Sequence, residues 1–174
     1  MRKMSLYNWF RKIFICDEIS GDAVNAGVGD SERIVRFLLS PLHFKKDGKL
    51  RSNAFNPTPN TDEVSVNRLE IIPIARTKEI AKAMVASRSG NNKYCGFAMH
   101  TKLSAIECDA KDVVSDPIDG NKAHAEIKMG IVRKDLEIPA EITEIKDKLA
   151  EKSKLLLDPN PEEDGWNGPA PIYS

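Results

Sequence analysis

The chain has 174 residues, 41% hydrophobic and 30% charged, which is typical of one globular domain with short appendages. Lys plus Arg and Asp plus Glu each total 26, so no overall charge draws the chain towards nucleic acid or acidic lipid. Its three cysteines form no CxxC pair, which favours reduced thiols. No apolar run is long enough to span a bilayer, and Arg11 and Lys12 interrupt any signal-peptide core. We therefore expect a soluble, cytoplasmic protein.

The first 18 residues predict a basic amphipathic helix. Such a helix could insert into a groove of a partner protein through Trp9, Phe10 and Phe14. It could also lie along a membrane surface through residues 1–15, or fold back onto the core of its own domain. The apolar residues that recur at helical spacing are Leu6, Phe10, Ile13 and Phe14.

Residues 31–158 predict a compact α+β domain with a mainly antiparallel sheet of about five strands. Asp47 and Gly48 form a typical tight-turn pair between antiparallel segments. Two amphipathic helical patterns, in residues 76–88 and 139–157, are expected to pack on one face of the sheet. The strand patterns occupy residues 31–40, 63–72, 94–106, 113–114 and 122–132.

Two segments lack the periodicity of a helix or a strand. Residues 19–30 contain three glycines and are typical of a flexible linker between the N-terminal helix and the domain. Residues 159–174 are rich in proline, glycine and acidic residues, which predicts a disordered tail. Because the tail also carries Trp166 and Tyr173, a docking peptide is the alternative interpretation.

The candidate catalytic residues are two histidines and a carboxylate. His124 and Glu126 are two positions apart in a predicted strand, so their side chains leave the same face about 7 Å apart. His100 lies opposite the apolar positions of another strand. If those strands are neighbours, the three residues converge as a general acid and base, or as ligands of a divalent metal. The other interpretation is a polar sheet face without chemistry.

Arg68 is the candidate ligand-binding residue. Val64 and Val66 mark the apolar face of their strand, but the alternation breaks near Asn67 and Arg68. A β-bulge there would re-aim Arg68 towards an anionic ligand such as phosphate. The alternatives are the end of the strand, or a buried pair between Arg68 and a carboxylate.

The stretch of residues 36–51 is the most basic part of the chain. It leaves nucleic acid open as a partner, with Phe44 and Phe55 as the nearby aromatic residues. A solvated turn explains the same charges without a nucleic acid.

The aromatic end segments favour an accessory or protein-interaction module of a larger intracellular assembly, with another protein as its partner. The alternative is a small hydrolase or nuclease that acts on a phosphate ester. In that case His100, His124 and Glu126 would be its acid, base or metal ligands, and Arg68 would bind the anion. The sequence leaves the cofactor open.

Overall fold

The computed structural model of the chain describes Val24 and residues 26–87, 90–135 and 137–173. As predicted, the fold is α+β and its sheet is antiparallel, with six strands and three α-helices among these residues. The elements in chain order are strand β1 (Arg33–Ser40), a 3₁₀ helix (Ser52–Phe55), β2 (Glu63–Arg68), helix α1 (Ile74–Ala86), β3 (Lys93–Thr101), α2 (Lys102–Ile106), β4 (Asp112–Ser115), β5 (His124–Lys128), α3 (Ala140–Lys152) and β6 (Lys154–Leu157).

The six strands form a single sheet in the order β4-β5-β2-β1-β3-β6, and every neighbouring pair is antiparallel. The register places Ile34 of β1 opposite both Arg68 of β2 and His100 of β3. Asn67 of β2 lies opposite His124 of β5. Residues directly opposite each other in an antiparallel pair project to the same face, so these pairs decide which side chains can meet.

The two longer helices cover opposite faces of the sheet, not one face as predicted. Ile34 and Leu38 of β1 pack in the core that holds Ile145 and Leu149 of α3, on what we call the α3 face. The remaining apolar residues of β1 project to the other side, called the α1 face, and pack with Ala81 of α1. Because β1 is apolar on both sides, both faces need a cover. The residues of β1 on the α1 face are Val35, Phe37 and Leu39.

Several element boundaries differ from the predicted ones, among them the ends of β3 and α3. The strand that begins at Lys93 ends at Thr101, where the side chains of Thr101 and Ser104 form a capping box that starts α2. The last helix ends at Lys152, so Leu156 lies in β6, opposite Phe97, and not in the helix. β6 satisfies backbone groups on the otherwise open edge of β3, which a helical continuation cannot do.

The disorder predicted for the tail is not confirmed, because residues 159–173 lie against the domain. The Trp166 ring packs on Phe97, with the ring centroids 5.8 Å apart. Arg33 Nη1 donates a 2.8 Å hydrogen bond to the carbonyl oxygen of Pro171, and Lys78 Nζ donates one to Asn160. The tail makes these contacts without forming a helix or a strand, so its amino-acid composition did not predict them.

The described part of the predicted linker also contacts the domain. Val24 and Val28 are buried, and Arg68 Nη1 donates a 3.1 Å hydrogen bond to the carbonyl oxygen of Ala26. The N-terminal helix predicted for residues 1–18 lies outside the described residues, together with Trp9, Phe10 and Phe14. Within the described ranges, no helix has both the length and the apolar character that crossing a membrane requires.

Candidate functional site

The sheet separates the four predicted catalytic and ligand-binding residues into two pairs. His100 and Arg68 both lie opposite Ile34, so their side chains project to the α3 face. His124 lies opposite Asn67, the neighbour of Arg68 in β2, and therefore projects to the α1 face together with Glu126. The predicted convergence of His100 with His124 and Glu126 does not occur.

His100 is enclosed in the core of the α3 face, with 1% of its surface exposed. Its Nε2 lies 3.0 Å from the carbonyl oxygen of Leu149 and its Nδ1 lies 3.0 Å from Oγ of Ser104. The ring meets Phe55 edge to face at 5.8 Å. Burial lowers the pKa of His100 to about 4, so the ring is neutral at neutral pH. Through His100, these contacts link β3 to Ser104 of α2 and to Leu149 of α3.

Arg68 forms a buried ion pair with Glu32. Its Nε lies 2.6 Å from Glu32 Oε1, and its Nη2 lies 3.1 Å from Oε2, so the guanidinium is held at two points. Nη1 also donates to Oγ of Ser115 at 2.9 Å. β2 ends at Arg68, so the break in alternation is the end of the strand, not a bulge. The anionic partner that Arg68 binds at two points is therefore Glu32 of the same chain, and not a bound ligand such as phosphate.

His124 and Glu126 meet a third polar residue, Asp116, on the α1 face. Each of these side chains offers one atom that could bind a metal ion, and the three atoms all lie within 4.8 Å of one another. His124 Nδ1 lies 2.7 Å from the Asp116 carbonyl oxygen and 3.2 Å from its Oδ2. We call Asp116, His124 and Glu126 the β5 cluster.

A β-hairpin assembles the β5 cluster. The β4–β5 register places Ser115 opposite Ala125, and one step further Asp116 N donates to the His124 carbonyl at 3.1 Å. Asp116 therefore faces His124 across the hairpin, on the same side of the sheet. Sequence reasoning missed Asp116, although its signal was present: the turn at residues 116–121 joins two strand patterns, so the residues that flank it must be neighbours.

Lys128 borders the β5 cluster and holds one of its carboxylates. Its Nζ lies 2.8 Å from Glu126 Oε2 and also contacts Glu63, the residue opposite Lys128 in β2. Burial lowers the pKa of Lys128, but hydrogen bonds to the two carboxylates outweigh it and raise the pKa above its ordinary value. Lys128 thus remains a cation and fixes the orientation of Glu126.

Two asparagines lie beside His124 on the same face. Asn121 Nδ2 donates a 2.6 Å hydrogen bond to Oδ1 of Asn67, which is the cross-strand partner of His124. Asn121 is buried, and its Oδ1 has no hydrogen-bond partner among the described residues. A buried acceptor without a partner is costly, so this oxygen has capacity for a cation or a donor.

The arrangement can support two kinds of chemistry. The Asp116 carbonyl accepts a hydrogen bond from Nδ1–H of His124, which holds the ring plane fixed and leaves Nε2 as the nitrogen available to a proton or a cation. Such an imidazole can act as a general base. The imidazole nitrogen and the two carboxylates are also a donor set that divalent cations accept.

A groove on the α3 face is a second candidate region. It has a volume of about 1050 Å³ and lies between the turn at residues 45–53 and the end of α3 with the start of β6. Leu50, Ala150 and Leu155 supply its apolar lining. Its charged residues are Lys45, Lys49 and Arg51 on the turn, with Asp47, and Asp147 and Glu151 on α3.

No protein family, curated protein or solved structure matches this chain.

Proposed function

We propose that this chain is a protein-interaction module of a larger assembly, and that its partner adds an extended segment at the outer edge of β6. The observation that carries the proposal is the position of β6. It is the last strand of the sheet, it pairs with β3 on one edge, and no described strand pairs with its other edge, which the tail approaches at Leu157, through Gly168. The unpaired backbone groups of an edge strand can accept a strand from another chain.

The groove next to β6 supports this mode of binding. Leu155 belongs to β6 and also lines the groove, so a strand added at this edge would run along the groove wall. Leu157, two positions along the same strand, is 48% exposed and extends the apolar surface. In strand addition, backbone hydrogen bonds supply affinity, and pockets for alternate side chains supply specificity.

The charges of the groove predict the chemistry of the partner segment. Its basic side is the turn with Lys45 and Lys49, while its acidic side is α3 with Asp147 and Glu151. Opposite walls of opposite charge favour an extended peptide that carries both acidic and basic side chains around an apolar centre. The predicted helix of residues 1–18, with Trp9, Phe10 and Phe14, is proposed as an additional contact with the same partner.

The test compares charge reversals inside and outside the groove. The variant Lys49→Glu with Glu151→Lys reverses both walls, while the control Lys46→Glu with Glu144→Lys makes the same changes at exposed positions outside the lining. Proteins recovered with the wild-type chain are identified, purified and titrated against each variant. We expect the groove variant to lose at least tenfold in affinity and the control to retain it. Equal binding by both variants contradicts the groove as the interface.

A deletion tests the N-terminal contact separately. Removing residues 1–18 leaves β6 and the groove unchanged in sequence, so we expect weaker but detectable binding of the same partner. Unchanged affinity after the deletion excludes Trp9, Phe10 and Phe14 from the interface.

The second candidate function is a small hydrolase or nuclease that acts on a phosphate ester, and the β5 cluster favours it. His124 would be the general acid or base, oriented by Asp116, and Lys128 is a cation in contact with Glu126 of the cluster. His100 and Arg68 take no part in this version, because they lie on the α3 face with partners of their own. In a screen of phosphate mono- and diesters, His124→Gln should reduce turnover more than 100-fold. Turnover retained by that variant excludes His124.

A further inference from the structure

We infer that Asp116, His124 and Glu126 bind one divalent transition-metal cation of the Mn²⁺ or Zn²⁺ type. The inference goes beyond the proposed interaction function, because the β5 cluster lies on the α1 face and the groove lies on the α3 face. In the second candidate function His124 would then hold the cation, and the cation would activate the attacking water in place of the imidazole, but cation binding does not require that the chain turns over an ester.

The distances within the β5 cluster suit a single ion. The three donor atoms lie within 4.8 Å of one another. Metal–ligand bonds of about 2.1 Å place neighbouring donors roughly 3–4 Å apart, so small side-chain rotations bring the donors into range. Asp116 can make such a rotation, because its side chain is 49% exposed and lies at the end of a strand.

His124 is already held in a defined orientation. Its side chain is only 11% exposed, and its ring is placed by the Asp116 carbonyl at 2.7 Å. Metal-binding histidines commonly have such a carbonyl or carboxylate contact, which fixes the ring and reduces the entropy lost on binding.

The charge around the cluster also favours a cation. This part of the α1 face carries the carboxylates of Asp116, Glu126 and Glu63, and Lys128 pairs with the last two, which leaves an excess of negative charge. Lys128 binds Glu126 through Oε2, so it neutralises only part of the cluster.

Asn121 provides an independent observation. Its buried Oδ1 has no hydrogen-bond partner among the described residues, while its Nδ2 is tied to Asn67. Because Asn67 is the cross-strand partner of His124, the Asn121 side chain lies on the same face as the β5 cluster. A bound cation, or a water molecule on it, would satisfy that acceptor.

The donor types identify the class of metal. Imidazole suits Zn²⁺ and other first-row transition metals, whereas carboxylate oxygens suit Mn²⁺, Mg²⁺ and Ca²⁺. One imidazole with two carboxylates combines both preferences, so Mn²⁺ and Zn²⁺ should bind more tightly than Mg²⁺ or Ca²⁺.

The test is calorimetric titration of the metal-free full chain with MnCl₂ or ZnCl₂ alone. We expect saturable binding of one ion, weakened at least tenfold in Asp116→Asn and in His124→Gln. Asp119→Asn, an exposed acid in the same hairpin turn, is the matched control and should bind as the wild type does. Circular dichroism checks that each variant is folded.

Two outcomes would overturn the inference: no saturable binding to the folded wild-type chain, or equal affinity in the wild type and both cluster variants. Neither readout depends on turnover. Cation binding without ester hydrolysis would therefore reject only the hydrolase function. The result of the groove test has no bearing on the cation site, because the two lie on opposite faces of the sheet.

Discussion

Lys78 Nζ lies 2.8 Å from Oδ2 of Asp158, and the two side chains are sealed from solvent, with 1% and 0% of their surfaces exposed. The pair joins helix α1 to the residue that follows β6. Lys78 Nζ also donates to the carbonyl oxygen of Asn160, so a single ammonium group secures the start of the tail.

Breaking this pair on one side should be strongly destabilising. Lys78→Met leaves the Asp158 carboxylate buried without its partner, and we expect the free energy of unfolding to fall by about 3–5 kcal/mol. Adding Asp158→Leu should restore much of it, because no buried charge remains. Urea unfolding measures both variants. Lys82→Met, one helical turn away and partly exposed, is the control and should cost about 1 kcal/mol or less. A loss for Lys78→Met no larger than the control contradicts the buried pair.

His100 predicts a specific dependence of stability on pH. The pKa of His100 is about 4 in the folded chain and 6.5 ordinarily, since burial disfavours the imidazolium. Below about pH 6.5 the unfolded chain takes up a proton that the folded chain does not, so stability falls as the pH is lowered. By pH 4 the loss from this residue is on the order of 3 kcal/mol.

The measurement compares the wild type with His100→Gln, which keeps a polar side chain but does not titrate. The unfolding free energy of the variant, followed from pH 7 to pH 4.5, should fall less steeply than that of the wild type. Parallel curves would mean that His100 titrates normally in the folded chain.

The packing of the tail can be tested through Trp166. Trp166→Ala removes the ring that contacts Phe97, and we expect a loss of about 2 kcal/mol in unfolding free energy, less than for a fully buried aromatic residue. Ile172→Ala, at a position 62% exposed, should change it by less than about 0.5 kcal/mol. A tail that is cleaved by protease as fast in the folded as in the unfolded chain contradicts this packing.

Lys128 should limit the affinity of the proposed cation site. Lys128→Gln releases Glu126 and Glu63 from the ammonium group, and the added negative charge should tighten Mn²⁺ binding about tenfold. Lys122→Gln removes the same charge at an exposed position and is the control. Weaker binding in Lys128→Gln than in the control would mean that Lys128 positions Glu126 for the cation and does not compete with it.

The fold class and the local strand pattern could be predicted from the sequence. The alternation in β5 predicted that Ala125 and Ile127 face one side of the sheet and His124, Glu126 and Lys128 the other, and the strand register agrees, although His124 is buried. The turn at Asp47 and Gly48 also forms, with Gly48 at a φ of 82°. These features depend on neighbouring residues, and the period of a strand or the steric freedom of a glycine decides them.

Only the tertiary structure decided which side chains meet. Asp116 lies beside His124 because of the register of the β4–β5 hairpin. His100 lies on the opposite face from His124, and β1 and β2 separate their strands. Both histidines follow the alternation of their own strands, but alternation does not say which face of one strand matches which face of another. That match depends on pairing between distant segments, and a shift of one residue reverses it. Long-range pairing also places Leu156 in β6, because the open edge of β3 gains a hydrogen-bonding partner. The tail packs against the sheet because burial of apolar surface lowers the free energy.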